Sequence, residues 1–229
     1  MKRSSLALTL AVQMLLTQSA FAAGGDFSLD FTAAEPSSYS HATGGGAYND
    51  RTINEDVVES LEGGDFACFD TVTFLTQIAV DGGAVGAQSA RLRFEFTAHS
   101  TGQQGVALVD NINGTSAAIN SGAVDTGTVD DSGSTASVFS EGISGPGVFS
   151  KPTAFQREVD VTDLEAGETV VLRTDVRINC NGASPTGNMQ ARLVSATAIP
   201  SNTAISVGDQ TIPFKRVGDI KSPPPPPPK

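Results

Sequence analysis

Leu164-Glu-Ala-Gly-Glu-Thr-Val-Val-Leu-Arg-Thr-Asp-Val-Arg-Ile-Asn-Cys180 is the stretch whose reading decides the fold. From Thr169 to Ile178 it alternates. Val170, Leu172, Thr174, Val176 and Ile178 share one parity, and Val171, Arg173, Asp175 and Arg177 share the other. Successive side chains of a strand point to opposite faces, so this pattern predicts one buried face and one solvated face carrying the charges. That is the signature of a strand in an antiparallel sheet. The stretch ends at Cys180, and the only other cysteine is Cys68.

The strand signal recurs along the chain. Thr71 to Val80 predicts a second long strand with Val72, Phe74, Ile78 and Val80 inward, closed by the turn Asp81-Gly82-Gly83. Arg91 to Phe96 follows, with Leu92, Phe94 and Phe96 inward and Arg91, Arg93 and Glu95 outward. Asp26 to Phe31 reads as a first strand. Shorter strands are expected at 105–109, 117–124, 135–139, 155–161, 189–199, 204–207 and 210–214. Residues 32–66 read as a long, mostly irregular connection whose one helical turn runs from Asn54 to Leu61. Eight or more short strands at even spacing, with turn chemistry between them, predict an all-β fold. The expected form is an antiparallel β-sandwich of the immunoglobulin-like or jelly-roll kind.

The ends of the chain are set apart from that domain. Met1-Lys2-Arg3, an apolar run from Leu6 to Leu16 and Ala20-Phe21-Ala22 together read as a secretory signal peptide over residues 1–22. The run is shorter than the ~20 residues a membrane span requires, and no second apolar stretch is long enough. The sandwich domain is expected over 26–217. Residues 218–229 are a proline-rich tail holding six consecutive prolines, a stiff extended segment that acts as spacer or as docking ligand. In an exported chain the two cysteines predict one disulfide, Cys68–Cys180. If the strands 71–80 and 169–178 run antiparallel, both cysteines fall at the same end.

Charge narrows the function. The chain holds 14 Lys and Arg against 25 Asp and Glu, a net charge of -11. An acidic surface disfavours nucleic acid and anionic membranes, both of which attract basic patches. The expected location is outside the cytoplasm: secreted, at the cell surface or in a periplasm. His41 and His99, the only histidines, lie in loop contexts, and no Gly-x-Ser-x-Gly nucleophile elbow occurs. The spacing for a zinc site is also missing. The acidic candidates are Asp125, Asp130 and Asp131 in a Gly-rich stretch, a set of oxygen ligands of the kind calcium takes. Asp65 and Asp70 flank Cys68. Sugar-binding sites stack rings on exposed aromatics. Here the candidates are Tyr39 and Tyr48, since the chain has no Trp and its 12 Phe fall mostly on inward positions. Asn113-Gly-Thr115 matches a glycosylation acceptor.

Val161 to Arg177, and the Leu164-Glu-Ala-Gly-Glu-Thr169 corner within it, resembles the Leu-x-x-Gly-Glu-Thr corner of immunoglobulin-like repeat modules in bacterial surface proteins. The resemblance spans about twenty residues and implies an extracellular, stalk-forming or adhesive role without catalysis. The expectation taken forward is a secreted, non-catalytic structural or adhesive protein. Its partner would be a surface protein, a glycan or a further copy of itself, and it would have no obligate cofactor. The alternative is a carbohydrate- or calcium-dependent binding module.

Overall fold

The computed structural model describes residues 26–35, 57–98, 109–110, 118–120, 123–124, 127–128, 134–144, 154–178, 189–208 and 210–222. Side chains are described for all of these except between 109 and 128 and at 143–144. Apart from two short 3-10 turns, Gly63–Asp65 and Val217–Asp219, the regular structure is all β. The strands are β1 (Phe27–Ala34), β2 (Val57–Val58), β3 (Leu61–Glu62), β4 (Thr71–Val80), β5 (Gln88–Thr97), β6 (Val109–Asp110), β7 (Ala118–Asn120), β8 (Ala123–Val124), β9 (Gly127–Thr128), β10 (Thr135–Ser144), β11 (Ala154–Leu164), β12 (Thr169–Ile178), β13 (Met189–Ala198), β14 (Ala204–Ile205) and β15 (Gln210–Lys215).

Two main sheets result. One runs β2-β1-β4-β12-β6, with β7 also paired to β12. The other runs β10-β11-β5-β13-β15-β3, with β14 also paired to β13. β8 and β9 form a separate hairpin. β4 and β12 are antiparallel neighbours, with Val72 opposite Val176 and Thr71 opposite Arg177. Among the described strands pairing is antiparallel except between β15 and β3, which run parallel; Ala67 and Lys221 add a parallel bridge.

The inward rings join the two sheets. Phe31 of β1 and Phe74 of β4 stack at 5.6 Å, and they meet Phe94 and Phe96 of β5 at 5.5 and 5.2 Å respectively. Phe96 contacts Phe155 of β11 at 6.2 Å. All five rings are buried in one continuous apolar core. Every inward position predicted on β4 and β5 is buried. Burial of these rings, at 150–250 Å² each, dominates the driving force for joining the sheets.

The corner before β12 is held by its own residues. Asp163 and Gly167 adopt left-handed conformations (φ 62° and 79°), which glycine takes without cost. Leu164 is fully buried. The Glu168 carboxylate accepts the Glu165 N–H and the Ser134 hydroxyl, both at 2.5 Å. Gly167 N–H donates to Val80 O at 3.1 Å and Val80 N–H to Glu168 O at 2.9 Å, which fixes the corner to the end of β4.

Four features differ from the sequence reading. First, the helical turn expected at Asn54 to Leu61 is replaced, over its described part, by strand. Val57 and Val58 pair with Ala34 and Ala33, and Leu61 pairs with Phe214. β-branched residues suit a strand neighbour, and burial of Val57 and Leu61 in the fold outweighs weak local helix propensity. Second, the outward parity of β12 is not a solvated face. Asp175 is 1% exposed, and Val171 is buried in a second apolar cluster with Ala34, Val57 and Leu75. Third, Glu95, expected outward, is also 1% exposed. Fourth, packing continues past residue 217, because Ile220 joins the core and Lys221 pairs with the 66–68 segment.

β10 ends the second sheet, and among the described strands it pairs only with β11. A bulge between Val138 and Ser140 leaves Phe139 without an opposite residue.

Candidate functional site

Among the described residues, a group of polar side chains lies on the outer face of the second sheet. Period two places Arg91, Arg93 and Glu95 of β5 there, opposite Asp160, Glu158 and Gln156 of β11 respectively. The register makes opposite charges neighbours. Arg91 grips Asp160 through two hydrogen bonds, Nε to Oδ1 at 2.6 Å and Nη2 to Oδ2 at 2.8 Å. This planar fork matches a carboxylate, and the carboxylate in turn holds the Arg91 guanidinium proton more tightly than usual. The bulged Phe139, 55% exposed, lies beneath the same guanidinium, 3.3 Å from ring centre to Cζ. Glu95 Oε1 accepts from Gln156 Nε2 at 2.5 Å and from Arg93 Nη2 at 3.2 Å. Ser140 donates to Glu158 at 2.8 Å.

Two further charged groups lie deeper. On the outward side of β12, Asp175 accepts at Oδ1 from the Thr73 hydroxyl (2.5 Å) and from Arg173 Nε (3.0 Å), and Arg173 Nη2 sits 2.8 Å from Oδ2. Between the sheets, Arg157 of β11 is completely buried. Its Nη1 donates to the Asp175 backbone carbonyl at 3.0 Å, so it links β11 of one sheet to β12 of the other. Its Nε donates to Glu141 of β10 at 3.1 Å. A guanidinium in such a place persists only with a carboxylate partner, and Glu141 supplies it.

These carboxylates are therefore already occupied by donors. Asp160 and Asp175 have both oxygens engaged, an arrangement suited to holding strands in register rather than to taking up a substrate proton. Among the described residues no cluster of three or more His, Cys, Asp or Glu could hold a metal ion. Nor is any helix among them long and apolar enough to cross a membrane.

The sequence candidates fall largely elsewhere. Asp125, Asp130, Asp131, Tyr39, Tyr48, His41, His99 and Cys180 lie outside the described residues, as do the signal peptide and the six prolines. Cys68 is described and buried. Asp70 beside it caps a turn, its Oδ2 accepting the Ala67 N–H at 2.7 Å. The grouping of Arg91, Asp160 and Phe139 was not among the candidates. Its signal was available only in part: alternation places Arg91 outward, but the pairing with Asp160 depends on a register set 69 residues apart. Comparison with known protein families and with curated proteins finds no match to this chain.

Proposed function

We propose that this chain is a secreted, non-catalytic structural or adhesive protein of the extracellular surface or matrix. Its two sheets would form a β-sandwich of the immunoglobulin-like or jelly-roll kind, tied by a Cys68–Cys180 disulfide. The observation that carries the functional reading is the use made of its charges. Arg91 with Asp160 joins β5 to β11, Arg157 with Glu141 joins β11 to β10, Asp175 joins β12 to β4 through Thr73, and Arg157 reaches the Asp175 carbonyl in the other sheet, as a load-resisting scaffold requires. The fold reading is supported by the ring contacts between the sheets and by the corner before β12. The disulfide is supported by the β4–β12 end. There Phe69 N–H donates to Ile178 O at 2.9 Å and Ile178 N–H to Asp70 O at 3.0 Å, bringing the chain within two residues of Cys180 beside Cys68.

The test has two arms. In the producing cell, the mature chain should be found outside the cytoplasm, accessible to protease on intact cells, and recovered with the cell surface or matrix. A panel of polysaccharide, peptide and ester substrates should show no turnover above background. Turnover that disappears in Asp160→Asn or Asp175→Asn while the fold is retained would overturn the non-catalytic reading. Retention in the cytoplasm would overturn the location.

A further inference from the structure

The segment Phe66 to Asp70 is held on both sides. On one side it meets the end of β12, through Phe69 N–H to Ile178 O at 2.9 Å. On the other it meets the last described residues. Cys68 N–H donates to Lys221 O at 2.9 Å, Lys221 N–H donates to Phe66 O at 3.0 Å, and Ala67 and Lys221 form a parallel bridge. Parallel pairing fixes direction: as the chain advances from Lys221 it advances along Cys68 towards Phe69.

Phe69 is an unusual residue to find there. Its φ is 76°, a left-handed conformation that a bulky side chain rarely adopts, yet 42% of it is exposed. Core packing therefore does not explain the conformation. The ring is held in place by Arg177, whose guanidinium lies 5.0 Å from the ring centre and whose Nε donates to the Phe69 carbonyl at 3.2 Å. An outward aromatic face with an arginine beside it, fixed at a sheet end, is the surface that proline-rich extended segments recognise. Their rings pack on the aromatic, and their carbonyls, acceptors without matching N–H donors, take hydrogen bonds from the side. The residues that follow Ser222 are six prolines.

We propose that Phe69 and Arg177 are the seat of the chain's own polyproline segment, residues 223–228. At ~3.1 Å per residue six prolines in the extended helix span roughly 19 Å, enough to reach across the ring from Ser222.

The experiment uses the full chain and nuclear magnetic resonance. Spectra of backbone amides 66–70 and of the Arg177 Nε–H are compared between the parent and a Pro224→Gly/Pro226→Gly chain, whose changes lie outside the packed strands. Shifts should appear at residues 66–70 and at Arg177, and the same tail changes made in a Phe69→Ala or Arg177→Gln background should move these signals far less. Superimposable spectra outside the tail would overturn the proposal. Shifts that grow with protein concentration would overturn the same-chain assignment, because the seat would then be filled by a second copy.

Discussion

Arg157 and Glu141 form an ion pair whose two halves should respond very differently to removal. Arg157 is 0% exposed, whereas the Glu141 side chain keeps 28% of its surface in water. Replacing Arg157 by Met fills most of its volume and lets the Glu141 carboxylate rehydrate. What remains is the Asp175 carbonyl without this donor, a loss of about 1–3 kcal/mol. Replacing Glu141 by Ala leaves a buried guanidinium without its carboxylate. Breaking a buried pair from that side costs about 3–5 kcal/mol. Glu141→Ala should therefore be the more damaging change although Glu141 is the more exposed residue. The double variant should be no less stable than Arg157→Met by more than about 1 kcal/mol, since the charge that made Glu141→Ala costly has gone. Equilibrium urea unfolding at neutral pH reads this directly, as midpoint shifts at constant slope. If Arg157→Met proves costlier than Glu141→Ala, the guanidinium is not an uncompensated buried charge and the account of how the sheets are tied is wrong.

Reduction with a thiol agent should lower the unfolding free energy by about 4–5 kcal/mol, the chain-entropy value for a loop of 112 residues (180 less 68). Two thiols titrating in the untreated protein would remove the disulfide. Gly63→Ala should destabilise by roughly 1–3 kcal/mol, because a Cβ there would drive into the backbone carbonyl of Arg216. Gly64→Ala, which points into open space, should be near neutral, and urea midpoints that fail to separate the pair would refute the contact. The Asp160 carboxylate raises the affinity of Arg91 for its proton. A group held above its unfolded value stabilises fully below that value and loses its effect only as pH rises through the folded one. The cost of Arg91→Gln, about 0.5–1 kcal/mol for a partly exposed pair, should therefore be equal at pH 7 and pH 10. A decline between them, measured by urea unfolding, would contradict the pairing.

Most of the sheet was legible in the sequence where one face had to be apolar. The expected limits of β4 and β12, 71–80 and 169–178, are those observed, because both strands alternate over ten residues and end at turn chemistry. What alternation does not reveal is whether the second face is covered as well. Leu75 and Val171, apolar residues on the outward parity, were the available sign that it is, and Asp175 lies buried beside them. Arg157 shows the converse. Its inward parity with Phe155, Val159 and Val161 was visible, but its acceptors come from β10 and from the other sheet, so no local pattern announces them. The parallel pairing of β15 with β3 was equally hidden, since it joins segments at opposite ends of the chain. At the site the balance was poorer. Outward charges on β5 could be read, their partners could not, and Phe139 owes its position to a bulge.

The sequence distance between partners governs how the chain comes together. Gln210 donates to the Leu29 carbonyl across 181 residues, and Thr73 reaches Asp175 across 102. Sheets closed by such distant partners fold slowly, in milliseconds to seconds, because each closure costs chain entropy before any contact repays it. During synthesis β1 finds β4 early, but the other edge of β4 must wait for β12, and β5 for β11 and β13. For a secreted protein, as proposed above, such a delay would be useful if export precedes folding. The chain would then stay threadable until its C-terminal strands arrived on the far side.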